Sequence, residues 1–84
     1  MIYPPLEELL NYALSANFSP REIRLGTIEM REFKEWAKRT GYLSSGASVG
    51  AGAPYEYNGI PVVEVSKDSR RSYVNEHGNE VIHD

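Results

Sequence analysis

The sequence predicts an α+β fold in which two helices pack on one face of a small, mainly antiparallel sheet, in the order α-β-α-β-β-β-β. Three observations predict it. Residues 5–15 and 27–40 repeat their apolar side chains with helical period. Asn58-Gly59 separates two β-prone runs, Tyr55-Glu56-Tyr57 and Ile60-Pro61-Val62-Val63-Glu64-Val65, which is the strongest short-range signal for a two-residue hairpin. A second pair of β-prone runs, Ser72-Tyr73-Val74 and Glu80-Val81-Ile82, flanks Asn75 to Asn79, a loop of hairpin length with Gly78 where φ > 0 is needed.

In the first helix, expected from about Pro5 to Ser15, Leu6, Leu9, Leu10, Ala13 and Leu14 recur on one face. Pro4 and Pro5 suit its entry, where an N–H has no helical partner. Glu7 and Glu8 suit the positive end of its dipole, and Asn17 is a stop. Ser19-Pro20-Arg21-Glu22 reads as a capping box, but only about five residues precede Gly26, too few for a self-standing helix. A turn at Ser19-Pro20 and a short strand through Ile23-Arg24-Leu25 is the favoured reading. Thr27 then serves as N-cap of the second helix, with Glu29 in its first turn and Gly41 as its left-handed stop. Its buried stripe is expected to hold Ile28, Phe33, Trp36, Ala37 and Thr40, with Met30 beside it. Arg31-Glu35 and Glu35-Arg39 are opposite-charge pairs on the outer face. Ser44 to Pro54 is almost all small residues, cannot offset its backbone entropy by burial, and is expected to be a flexible loop.

The central ribbon supplies the candidate binding residues. An Asn-Gly turn pairs Tyr57 with Ile60 and Tyr55 with Val62 on one face, leaving Val63 and Val65 on the other with Glu56 and Pro61. A strand apolar on both sides is usually covered on both sides, here by helices and there by a partner or another sheet. Pro61 donates no ladder bond, which suggests a strand edge or an unpaired N–H side at that point. Tyr55, Tyr57, Ile60, Pro61, Val63 and Val65 are therefore the expected partner-binding set.

Length and composition bound the rest. The chain has 84 residues, no cysteine and a net charge of −3 with pI near 5.3. It reads as one domain over 1–84 whose core leaves about 3–5 kcal/mol in hand, so it is expected to lean on a partner or on copies of itself. The missing cysteines exclude disulfides, thiolate metal sites and thiol catalysis, and fit a reducing compartment. The acidic balance argues against phosphate-driven nucleic-acid binding. The start, Met1-Ile2-Tyr3-Pro4-Pro5, has neither the positive region nor the long apolar region of a signal peptide, and no apolar run approaches the about 20 residues of a membrane span.

Candidate chemistry is thin. Gly46, Gly50 and Gly52 lack the preceding strand, following helix and lysine of a phosphate loop. His77, His83, Glu76, Glu80 and Asp84 fall in a hairpin loop and a tail, without the convergence a metal needs. The serines have no His-Asp relay at a recognisable spacing. No enzyme, cofactor, metal or small-molecule ligand is expected. A winged-helix reading takes Ser19 to Leu43 as a short helix, a turn and a recognition helix over 27–40, with a later hairpin as wing. The intermixed Glu29, Glu32 and Glu35 count against it, and it is the alternative.

Residues 20–65 carry a resemblance. Glu22-Ile23-Arg24-Leu25-Gly26, a helix, a loop, and then Tyr57-Asn58-Gly59-Ile60-Pro61-Val62-Val63 resemble a segment of tailed-phage major capsid proteins and similar stretches of small phage and prophage proteins. A capsid subunit is several times longer, with a spine helix and an extended loop absent here, so the chain is not a shell-forming subunit of that kind. The resemblance implies a small phage-type protein, virion-associated or directed at a host system, located in host cytoplasm or virion, acting through protein–protein contacts or as a homo-oligomer. It transfers no catalytic residue.

Overall fold

Glu22-Ile23-Arg24-Leu25 alternates charged and apolar side chains, and this short run forms the middle strand of the sheet. The computed structural model describes residues 2–42 and 55–83. The elements are α1 (Pro4–Ser15), β1 (Glu22–Leu25), α2 (Thr27–Thr40), β2 (Tyr55–Tyr57), β3 (Ile60–Glu64), β4 (Arg71–Val74) and β5 (Glu80–Ile82). This is the α+β class and element order that the sequence predicts. The strands form one sheet in the order β2-β3-β1-β4-β5. β2–β3, β1–β4 and β4–β5 are antiparallel, whereas β1 and β3 run parallel with Ile23 opposite Val62. A parallel pair needs a crossover connection, and α2 provides it. The loop expected over 44–54 lies outside the described residues.

α1 begins at Pro4, one residue earlier than expected, and Tyr3 is its N-cap with no side-chain bond. The Tyr3 carbonyl accepts from the amides of Leu6 and Glu7 at 3.1 and 3.0 Å. Leu6, Leu9 and Ala13 are buried and Leu10 packs beside them, but Leu14 is 64% exposed, so the apolar stripe is narrower than predicted. Asn17, at φ 62, turns the chain out of the helix.

The N-cap of α2 is Gly26, not Thr27, and no side chain caps it. Instead the loop after β3 does so through its backbone: Lys67 O accepts from Thr27 N at 2.8 Å and Asp68 O from Ile28 N at 3.0 Å. Glu29 completes the clamp, its carboxylate accepting from the Ser69 hydroxyl at 2.5 Å and the Arg70 amide at 3.1 Å. Burial works to raise the Glu29 carboxyl, but those two hydrogen bonds, together with its own backbone amide and the Arg71 charge, hold it below the ordinary carboxylate range. The docked loop also explains Gly26, where a Cβ would lie 2.6 Å from Arg70 N and 2.8 Å from the Ser69 backbone. Gly41, at φ 74, stops the helix as predicted.

Met30, Phe33, Trp36 and Ala37 form the buried face of α2, while Ile28 is 45% exposed and leaves the stripe assigned to it. At about 100° per residue Ile28 lies about 180° from Ala37, so one face cannot hold both. Thr40 is half-buried, with its hydroxyl on Trp36 O at 2.7 Å. Both helices pack on the sheet face that carries Ile23, Leu25, Tyr57, Val62 and Tyr73. Six aromatic residues knit this core: the Trp36 ring lies 4.9 Å from Tyr3 and 5.0 Å from Tyr42, and Phe33 meets Tyr55 and Tyr57 edge-on.

Candidate functional site

Strand alternation divides the six sequence-selected residues into two groups on opposite faces of the sheet. Tyr55, Tyr57 and Ile60 face the helices, and Pro61, Val63 and Val65 face away from them. Tyr57 is fully buried, which corrects its assignment as a contact residue. Its hydroxyl donates to Glu7 Oε2 at 2.6 Å and accepts from the Tyr3 amide at 2.9 Å, so the ring ties β2 to the start of α1. Burial and the Glu7 carboxylate push this phenol up to about 12. Tyr55 and Ile60 are half-buried against the core, with Lys34 Nζ 5.5 Å from the Tyr55 ring centroid.

Pro61 does not mark an edge of the sheet, because β3 is an inner strand with β2 on one side and β1 on the other. Across the hairpin Pro61 stands opposite Glu56, between the hydrogen-bonded pairs Tyr57–Ile60 and Tyr55–Val62, so its nitrogen points away from β2. The ladder with β1 starts one residue later, at Ile23–Val62, and the missing N–H costs no strand pairing. Of the two readings of Pro61, a strand edge is thereby excluded, and the unpaired N–H side is the one that fits.

The face turned from the helices carries a polar midline between apolar flanks. Pro61 and Val63 on β3 and Val65 just after it are partly exposed, and at the other side Ile82 is 48% exposed. Between them Arg24 Nε meets Glu22 Oε2 at 2.6 Å, Arg24 Nη1 meets Glu80 Oε1 at 3.4 Å, and Arg70 Nη1 meets Glu80 Oε2 at 3.4 Å. Ser72, fully buried, donates to Glu80 Oε2 at 2.6 Å. The Ser72 hydroxyl, with the Arg24 and Arg70 charges, holds the Glu80 carboxyl below its ordinary range against the opposing effect of burial. Two cations and two anions thus cancel along the midline. Among the described residues no helix covers this face.

Comparison with protein-family models, curated proteins and solved structures finds no match.

The winged-helix alternative needs a helix before α2, and that stretch is β1, hydrogen-bonded on both sides. The charges of α2 are of mixed sign: Arg31, Lys34 and Lys38 recur at i, i+3 and i+7 with Glu35 among them, and Lys34 reaches Glu64 at 3.8 Å. Neither expected pair, Arg31-Glu35 or Glu35-Arg39, appears among the ion pairs of the described residues. A depression of about 290 Å³ between Tyr3, Leu6, Leu25, Glu29 and Arg71 is at the small end for ligand sites. Two of its charged walls are engaged within the chain, Glu29 as above and Arg71 with His83 O at 3.0 Å and Glu8 at 3.1 Å, and Glu32 is the third charged residue that lines it. Among the described residues no group of three His, Asp or Glu could hold a metal ion, and no helix is long and apolar enough to cross a membrane. His77 meets Phe18 edge-on and His83 stacks on Tyr12 at 4.2 Å, so each imidazole packs on a different ring.

Sequence reasoning did not find the Glu22–Arg24–Glu80–Ser72 network. The signal was present only as alternation, with Glu22 and Arg24 offset by one from Ile23 and Leu25, and Ser72 offset from Tyr73.

Proposed function

We propose that this chain is a small non-enzymatic protein that works by protein–protein contact, docking a partner on the sheet face that its own helices leave open. The observation that carries the reading is the placement of Pro61, Val63 and Val65, partly exposed on that face, while every helix-borne core residue packs on the other. An apolar flank beside a self-neutralised charged midline suits a protein surface of mixed character. Polyanions and polycations gain little there, because the charges of Arg24 and Arg70 are balanced by those of Glu22 and Glu80. The phage-type setting, as virion accessory or inhibitor of a host system, belongs to this proposal as what the resemblance over residues 20–65 implies.

The test is affinity capture from host lysate with the wild-type chain and with a Val63→Lys, Val65→Lys variant whose fold is checked by circular dichroism. A partner retained by the first and lost from the second supports the reading. A partner held equally by both, or none captured by either, counts against the open face.

A further inference from the structure

The two outer strands of the sheet differ in what their free edges offer. In β2 only Glu56 turns its backbone groups outward, and the next outward amide, that of Asn58, is taken by the Tyr42 hydroxyl at 3.0 Å. In β5 the ladder is bracketed by Asn75 N–Asn79 O and His83 N–Arg71 O, both 2.9 Å. Alternation then makes Tyr73–Val81 the hydrogen-bonded pair between them, and turns the N–H and C=O of both Glu80 and Ile82 away from β4. No described residue receives them.

Edge strands are commonly protected by a charge that projects over the edge. Glu80 does not serve that purpose, because its carboxylate is drawn back over the sheet by Ser72, Arg24 and Arg70. Ile82 beside it is 48% exposed. The outward groups stand one residue either side of Val81, so a two-fold axis at Val81 brings Glu80 of one copy opposite Ile82 of the other and pairs all of them.

We propose that β5 is a self-association edge, on which a second copy of this chain adds its own β5 antiparallel, with Val81 opposite the partner's Val81. The two sheets become one of ten strands, and two open faces lie side by side. Three-residue strands bury much less than the about 800 Å² per partner of a stable interface, so association falls at about 0.1–1 mM. The inference rests on strand pairing alone, and stands or falls independently of whether the open face docks another protein.

Proline at position 82 tests it, since the Ile82 N–H points out of the sheet and its removal spares the β4–β5 ladder. Sedimentation equilibrium should show a monomer–dimer equilibrium for the wild-type chain, an essentially unchanged one for Ile82→Thr, and one weakened about tenfold or more for Ile82→Pro. A separate measurement avoids any folding defect of the proline variant. In a mixture of labelled and unlabelled wild-type chains, isotope-filtered NMR should show contact between the Hα of Val81 and that of the partner's Val81. A chain monomeric at about 2 mM overturns the proposal. So does a dimer without that contact, or one that Ile82→Pro leaves intact.

Discussion

Tyr57 and Glu7 lie fifty residues apart in sequence, and the tyrosine hydroxyl donates to the Glu7 carboxylate at 2.6 Å. The same oxygen accepts the Tyr3 amide at 2.9 Å, so one side chain in β2 satisfies the entry of α1. Tyr57→Phe removes both bonds, leaves the Tyr3 N–H unmatched in a half-buried position, and should cost about 1–3 kcal/mol. Guanidinium titration of the two proteins measures this as a lower midpoint with unchanged slope.

Alkali should act through the same group. The Tyr57 phenol is raised from 10.0 to about 12, so its contribution to stability is complete below its unfolded value and disappears as pH rises through its folded one. Denaturant midpoints should therefore fall between about pH 10 and 12, and fall less in Tyr57→Phe than in wild type. Tyr3 and Tyr73 are raised as well, chiefly by burial, so the variant should keep part of the slope.

Much of this arrangement was legible locally. The Asn58-Gly59 turn has both residues at positive φ, 52 and 79°, and the Gly78 hairpin closes with φ 85°, as their residue types require. Both helices stand within a residue of their expected bounds. The placement of β1 was not legible: a four-residue strand can join any edge, and its insertion between β3 and β4 depends on contacts across the whole chain. The open face divided in the same way. Alternation in the ribbon separates Pro61, Val63 and Val65 from Tyr57, but tyrosine suits core and surface alike, so the burial of Tyr57 had no local signal. The Glu80 network joins residues from β1, β4 and β5, and no spacing announces it.

Gly26 is required by proximity and not by its dihedral angle, since its φ of −73° suits any residue. A methyl there meets the backbone of Ser69 and Arg70, which cannot yield without releasing the clamp on the first turn of α2. Gly26→Ala should cost about 1–3 kcal/mol, measured by thermal or denaturant unfolding. Gly59→Ala meets no atom within 4 Å, so its cost is set by the positive φ alone, about 1–2 kcal/mol.

Acid should loosen the sheet through Glu80. Its folded carboxyl titrates below the ordinary 4.5, so its stabilising effect is present above that value and is lost as pH falls through the lower folded one. Glu80→Gln should be less stable than wild type at neutral pH and should lose less on acidification. Midpoints measured from about pH 7 to 3 give both comparisons. Glu29 and Glu76 are lowered too, by hydrogen bonds from Ser69 and Arg70 and from the Ser19 amide, so the variant's curve should flatten without becoming level.

Ile28 and Met30 separate what apolarity suggests from what the helix does with it. Two residues apart, they point to nearly opposite sides of α2, and Met30 is 3% exposed where Ile28 is 45% exposed. Met30→Ala should leave a cavity beside Phe33 and cost about 2–5 kcal/mol. Ile28→Lys should stay within about 0.5 kcal/mol of wild type, because the Ile28 amide keeps its bond to Asp68 O whatever side chain it bears. Denaturant unfolding of both variants decides the matter. A costly Ile28→Lys would mean that the side chain is covered in solution, and an inexpensive Met30→Ala would displace the core from the α2 face described above.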